Sequence, residues 1–108
     1  MRSSSPDTTS WSGVLEKIVL HLFVAGRTAR AERAIRTLRT ICERDLAEFP
    51  YELHVIDVLT EPQRAEERKI LATPTLIKEC PYPPRRVIGD LGGDPRELLA
   101  ALDLPPSS

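Results

Sequence analysis

The chain has only two cysteines, Cys42 and Cys80, among 108 residues. Two thiols do not make a disulfide framework, so the fold depends on its hydrophobic core. Hydrophobic residues make up 41% of the sequence. A domain of this size buries about 60 to 65% of the surface of its unfolded chain, which gives a modest core. The sequence therefore predicts a single domain without disulfide support.

Long apolar runs and an excess of one charge are also missing. The segment from Met1 to Gly13 is rich in Ser and Thr and has no apolar run of the kind that a signal peptide needs. No later segment approaches the roughly 18 consecutive apolar residues of a membrane span. The net charge of -1 gives no preference for nucleic acid or an anionic membrane. We therefore expect a cytoplasmic protein that binds neither.

Residue patterns for metal binding or acid–base catalysis are weak. His21 lies in an apolar strand and His54 alternates outward on another, and neither has a Cys or His partner at metal-ligand spacing. Glu66 and Glu67 are adjacent on a helix, so their carboxylates point in different directions. The stretch from Gly89 to Gly93 lacks the Gly-Lys-Ser/Thr of a phosphate loop. The sequence predicts no metal, no cofactor and no catalytic residue.

The first half of the chain has a strand, a helix and a second strand. Apolar residues run almost continuously from Lys17 to Val24, which is typical of a strand covered on both faces by helices. A helix is predicted from Ala29 to Glu48 with Thr28 as its N-cap. Tyr51 to Val58 is predicted as the next strand. The helix presents one apolar stripe, formed by Ala31, Ile35, Leu38, Cys42 and Leu46.

The second half contains a helix, two short strands and a last helix. Thr60-Glu-Pro-Gln63 has the form of a capping box, and its helix is predicted to run to about Leu71. Strands are predicted from Thr75 to Lys78 and from Arg85 to Ile88. Asp94-Pro-Arg-Glu97 starts the final helix. The order β-α-β-α-β-β-α predicts a single α/β domain with a parallel first strand pair, joined by a right-handed crossover, and an antiparallel last pair.

This order of elements, with Thr73-Pro74 before the third strand, is that of a thioredoxin-like domain. Thioredoxin-type enzymes place a cysteine at the N-terminus of the first helix, where the helix dipole lowers the thiol pKa. Here that position holds Gly26-Arg-Thr-Ala-Arg-Ala31. Dithiol exchange is therefore excluded, and a binding protein is favoured over an enzyme. We expect residues 16–104 to form the domain, with disordered tails at 1–15 and 105–108.

The two cysteines have different predicted roles. Cys42 falls on the apolar stripe and is predicted to be a buried structural thiol. Cys80 stands beside prolines in a loop, where it is either a bystander or a single reactive thiol. The second alternative makes the chain a thioredoxin-like redox or peroxide sensor.

The first helix also carries arginines spaced by three residues, Arg30, Arg33 and Arg36, away from the apolar stripe. One interpretation is a solvated face that pairs locally with Glu32 and Glu43. Another is a docking ridge for an acidic partner. Nucleic acid is a weaker alternative, because interleaved aromatic residues for base stacking are absent.

Several segments resemble the KaiB family of the cyanobacterial circadian clock and its bacterial homologues. The resemblance covers roughly residues 17 to 104, and its most specific segment is Lys69-Ile-Leu-Ala-Thr-Pro-Thr-Leu76. The N-terminal domain of the clock-output histidine kinase is similar too. Other matching segments are Leu22-Phe-Val-Ala-Gly26, Val55-Ile-Asp-Val-Leu59, Arg85-Arg-Val-Ile-Gly-Asp-Leu91 and Leu102-Asp-Leu104.

The resemblance implies a non-enzymatic regulator that binds a KaiC-like hexameric ATPase ring and modulates its phosphorylation and ATPase cycle. A KaiA-like protein or a histidine kinase would be a further partner. The family has a thioredoxin-like monomer that binds the ring and a second fold with a rearranged C-terminal half, so a dimer or tetramer is also implied. By position, the implied partner contacts are Arg33, Lys69, Lys78 and Arg85, and Arg36 of the arginine-rich helix face is a further predicted contact. The positions implied in fold switching or structure are Pro74, Ala101 and Asp103.

One difference from the family pattern affects which of the two folds we expect to be populated. Ala100-Ala101 stands in a short segment where the family commonly has glycine. Alanine favours a helix over glycine by about 0.8 to 1 kcal/mol, and the Asp94 cap adds about 0.5 to 2 kcal/mol. Because two folds can differ by only a few kcal/mol, we expect the thioredoxin-like state to dominate in isolation.

Overall fold

The computed structural model describes residues 17–89, 91 and 94–104. The predicted order β-α-β-α-β-β-α is confirmed for these residues. The predicted tails, 1–15 and 105–108, lie outside them, as do residues 16, 90, 92 and 93. The elements are β1 (Ile18–Val24), α1 (Ala29–Asp45), β2 (Tyr51–Asp57), α2 (Pro62–Glu67), β3 (Thr75–Cys80), β4 (Arg85–Ile88) and α3 (Pro95–Ala101).

The described strands form one sheet in the order β2-β1-β3-β4. β1 pairs in parallel with β2, and the register places Ile18 opposite Tyr51 and Val24 opposite Asp57. β3 is antiparallel to both β1 and β4. The predicted parallel first pair and antiparallel last pair are therefore confirmed. A connection as long as α1 permits the parallel pair, whereas the short link from β3 to β4 permits only a hairpin.

Side chains along β1 alternate between the two faces of the sheet. On one face, Leu22 and Val24 are at most 1% exposed and pack in a large cluster with residues of α1 and α3. On the other face, Phe23, Ile56 and Ile77 form a smaller buried cluster. The main core therefore lies between the sheet and the helices α1 and α3.

The prediction that helices cover β1 on both faces is wrong for the face of the smaller cluster. Helix α2 has six residues and buries none of them, whereas α1 has 17 residues and buries a whole stripe. The short helix leaves His21, on the same face as Phe23, with 21% of its side chain exposed. A polar region of sheet consequently remains accessible beside α2.

The predicted caps of α1 and α3 are confirmed. The hydroxyl of Thr28 accepts a hydrogen bond from the backbone N–H of Ala31, and the carboxylate of Asp94 accepts one from the N–H of Arg96. Helix α1 ends at Asp45 rather than at Glu48. The chain turns there because the Leu46 carbonyl accepts the N–H of Phe49, which positions the chain to enter β2.

The predicted bounds of α2 are wrong at both ends. Thr60 is not the N-cap, because its hydroxyl donates to the Asp57 carbonyl instead. The N-cap is Glu61, without a side-chain cap bond, and the helix ends at Glu67 rather than near Leu71. Lys69 ends it with a left-handed backbone, φ 54°, a conformation that is costly for a residue with a Cβ.

Helices α2 and α3 end in the same way. The N–H of Ile70 donates to the Ala65 carbonyl, and the N–H of Leu104 donates to the Leu99 carbonyl, both at 2.9 Å. These are the long hydrogen bonds of Schellman caps, which usually carry glycine at the left-handed position. Here Lys69 and Asp103, at φ 59°, occupy those positions. Each cap turns the chain so that the apolar residue after it packs inward.

Candidate functional site

The place where a thioredoxin-type enzyme would carry its thiol is a groove without one. The groove has a volume of about 330 Å³ and is lined by the N-terminus of α1, including Thr28 and Ala31, and by Thr73 and Pro74. The Thr73–Pro74 peptide bond is cis and Pro74 is buried. None of the described residues that line the groove is a cysteine. The groove therefore has no thiol nucleophile.

Neither cysteine compensates for this missing thiol. Cys42 is 1% exposed, and burial, with the Glu43 carboxylate beside it, raises the pKa of its thiol to about 11. Cys80 is exposed and lies opposite Val19, near the start of β1. The groove adjoins Val24, at the other end of the same strand. The predicted burial of Cys42 is confirmed, and Cys80 lies too far from the groove to act in it.

We expect one fast-reacting thiol in the folded protein. Cys80 is exposed, whereas Cys42 is buried and remains protonated at neutral pH. Titration with a chromogenic disulfide at pH 7.5 should give about one equivalent at once and the second only after addition of denaturant. Cys80→Ser should abolish the fast phase and Cys42→Ser should preserve it. Two fast equivalents in the native protein would contradict the packing of Cys42.

The five predicted partner contacts do not lie on one surface. Arg33 and Arg36 are exposed on α1, and Arg85 is exposed on the edge strand β4. Lys69 is exposed after α2, on the opposite face of the sheet from α1. Lys78 is only 1% exposed. The sequence missed this burial although Leu76 and Lys78, two residues apart on a strand, share a face.

Lys78 therefore has a structural place in this fold, and we remove it from the proposed contacts. Burial lowers the pKa of its ammonium group, and the Arg85 guanidinium lowers it further. The Asp103 carboxylate opposes this effect and favours the charged form. Asp103 has the left-handed backbone that ends α3, and Lys78 belongs to β3, so this attraction acts between the last helix and the sheet.

A second surface lies around the end of α2. We call Pro62, Ala65, Lys69, Ile70 and Leu71 the α2 surface. The side chain of Leu71 is 94% exposed. Pro62, Ala65, Ile70 and Leu71 line a shallow groove of about 340 Å³. An exposed leucine beside a groove offers apolar area that a partner protein can bury, and the lysine stands at its polar rim.

Two charged side chains hold the backbone of the α2 surface in place. Arg86 from β4 donates to the Arg68 carbonyl at 2.7 Å and to the Lys69 carbonyl at 3.4 Å. Arg68 in turn donates to the Glu79 carboxylate of β3 at 2.9 Å. These contacts support the left-handed conformation of Lys69. Lys69 and Leu71 thus lie on a segment whose backbone is held by these hydrogen bonds. The sequence did not predict this support.

The basic ridge of α1 is confirmed as an exposed feature. Arg30, Arg33 and Arg36 are all exposed. Glu32 pairs with Arg27 at 2.8 Å, so the local pairing foreseen for Glu32 involves the arginine before the helix. The ridge lies on α1, over one face of the sheet, and the α2 surface lies over the other. The two meet at one edge, because the groove that Arg30 lines shares Ala25 and Thr73 with the groove of the α2 surface. Within the described residues, no helix is long and apolar enough to cross a membrane.

The fold and the groove define a class of protein: a thioredoxin-like domain without the cysteine at the start of its first helix. The structure matches chloroplastic thioredoxin z with a TM-score of 0.63 at 18% identity, covering 93% of this chain and 91% of that one. The chain itself belongs to the KaiB family, since residues 21–101 match the KaiB domain.

Two similar proteins show what kind of protein the family contains. The chain is 54% identical over 88 residues to the circadian clock oscillator protein KaiB of Synechococcus elongatus, covering 80% of this chain and 82% of that protein. It also matches the solved N-terminal domain of Synechococcus elongatus SasA, with a TM-score of 0.62 and 27% identity over 82% of this chain and 79% of that one. The family is thus one of circadian clock proteins, and the resemblance found in the sequence is confirmed.

Proposed function

We propose that this chain is a non-enzymatic, cytoplasmic regulator that binds a KaiC-like hexameric ATPase ring and modulates its phosphorylation and ATPase cycle. The observation that carries the proposal is the α2 surface. There Leu71 is 94% exposed near Lys69, and Arg86 holds the backbone before them by hydrogen bonds. The groove without a thiol and membership of the KaiB family support a binding role over catalysis. A KaiA-like protein or a histidine kinase is a further partner in this proposal.

The ATPase rate of the ring tests this function directly. Purified ring from the same host, titrated with this chain, should show a saturable change in its rate of ATP hydrolysis. The chain alone should hydrolyse no ATP. A rate that stays constant up to a large excess of the chain would contradict the proposed modulation.

An alternative function, a redox or peroxide sensor, rests on the exposure of Cys80. The two proposals are separable with one variant. Cys80→Ser should leave the effect on the ring intact under both reducing and oxidising conditions if the regulator proposal holds. If the effect depends on redox state in the wild type and vanishes in the variant, the sensor is supported instead.

We further propose that the thioredoxin-like fold is the dominant state of the free chain and that Ala101 contributes to this preference. Ala101→Gly should destabilise α3, by less than the roughly 1 kcal/mol of a helix interior because Ala101 is its last residue, and should increase the fraction of tetramer with a rearranged C-terminal half. Urea unfolding and light scattering measure the two effects. Arg39→Gly, at an exposed position within α1, should cost at least as much stability without changing the mass. An unchanged mass for both variants would contradict the role of Ala101.

A further inference from the structure

Three strands bring a cluster of ionisable side chains together on the face of the sheet beside α2. His21 of β1 and His54 of β2 are register partners, and their rings meet edge to face with centroids 5.2 Å apart. His21 Nδ1 lies 3.3 Å from Oε2 of Glu79 on β3. No part of the proposed function uses these groups, and the sequence, which treated each histidine alone, did not pair them.

The cluster continues to the connection that follows α2. The second oxygen of Glu79, Oε1, accepts from Arg68 Nη2 at 2.9 Å. Glu79 is therefore shared between a histidine on the sheet and the arginine that ends α2. Arg64, within α2, also faces His21 closely enough for its charge to act on the ring. The cationic groups of the helix segment thus lie next to a side chain that titrates near neutral pH.

Burial and the charges around His21 together disfavour its protonation. Burial is the largest effect and lowers the pKa of His21 from its usual 6.5, and the charges of His54 and Arg64 lower it as well. Glu79 acts in the other direction through its charge and its hydrogen bond. Glu52, which accepts from Lys17 and interacts with His54, belongs to the outer end of the cluster.

We propose that protonation of His21 loosens the segment from Pro62 to Ile70 from the sheet. An added positive charge on His21 repels Arg64 and strengthens the pull of His21 on Glu79, whose other oxygen holds Arg68. Both arginines belong to that segment. Opening the segment exposes more of His21 to water than the 21% of its side chain that is exposed in the closed state, and it separates His21 from Arg64. The open state consequently binds the proton more readily than the closed state does.

The sign of the pH effect follows from this difference. Because His21 has a lowered pKa in the closed state, closure is favoured above pH 6.5 and is progressively lost as the pH falls through the range below 6.5. Once both states are protonated, the loss reaches a plateau. Glu52, whose pKa is lowered to about 2 by the bonds from Lys17 and His54, remains ionised throughout this range.

Hydrogen exchange measured by NMR between pH 5 and 8 tests the proposal. The reporters are the amides of Arg68, Lys69 and Ile70, which donate to Arg64, Glu66 and Ala65. Their protection, corrected for intrinsic exchange, should fall several-fold as the pH decreases. The amide of Leu104, bonded to Leu99 at the end of α3, should keep its protection.

Matched variants assign the effect to His21. In His21→Gln the amide keeps a polar contact but cannot titrate, so the fall in protection should disappear. In His54→Gln the fall should persist and move to higher pH, because His54 opposes protonation of His21. A His21 pKa at or above 6.5 in the wild type, read from its ring nitrogens, would overturn the proposal whatever the variants do. The same pH dependence in His21→Gln would overturn it too.

Discussion

Replacing Leu71 with glutamate should weaken binding to the KaiC-like ring by about 30-fold or more. The side chain is 94% exposed in the free chain, so the change removes an apolar contact and adds a carboxylate at the α2 surface. Central interface anchors cost at least about 2 kcal/mol when lost, which corresponds to a factor of about 30. Lys69→Glu should act in the same direction, and biolayer interferometry with immobilised ring measures both.

Two controls make this result specific. An exposed substitution changes stability by only about 0.5 kcal/mol, so Leu71→Glu should unfold at nearly the same urea concentration as the wild type. Leu59→Glu makes the same substitution at another exposed leucine. Leu59 is 69% exposed and does not line the α2 groove. If Arg33→Glu and Arg36→Glu abolish binding while both α2 variants bind normally, the contact lies on the α1 ridge and our choice of surface is wrong.

The second large effect concerns the core. Leu22→Ala should lower the free energy of unfolding by about 2 to 5 kcal/mol, as observed for buried leucines elsewhere. Leu22 is 0% exposed and lies on β1, between Val55 of β2 and Leu76 of β3. Packing on both sides leaves little freedom to fill the cavity. Because small domains have only about 5 to 15 kcal/mol of stability, this one change removes a large share of it.

Leu59→Ala is the matched control for the core prediction. The same atoms are removed from a side chain that is 69% exposed, so the loss should stay within about 0.5 kcal/mol. Urea unfolding followed by circular dichroism compares the two variants. Similar losses for both would mean that the large cluster between the sheet and α1 does not dominate stability.

Local sequence signals predicted much of the fold. Thr28 and Asp94 cap helices through contacts two or three residues away, which a sequence reveals directly. The periodicity of α1 and the apolar run of β1 likewise depend on neighbours in the chain. The thioredoxin-like order of elements follows from these features, because each is encoded over short distances. The KaiB family was identified instead from the resemblance of segments such as Lys69 to Leu76.

The features that were missed depend on distant contacts. The end of α2 is set by Lys69, whose left-handed backbone is supported by Arg86 from another strand. The meeting of His21 with His54 depends on the register between β1 and β2. For Lys78 a usable signal existed, since its spacing from Leu76 placed it on the core face. The charge of the residue misled the prediction because lysines are usually exposed.

The account as a whole depends on the chain binding a KaiC-like ring. Size-exclusion chromatography with light scattering, run on the chain alone and with the ring in ADP and in ATP, tests this directly. We predict that the free chain elutes with the mass of a 12.1 kDa monomer and that it co-elutes with the ring in a nucleotide-dependent way. The absence of a complex in both nucleotides would contradict the central claim.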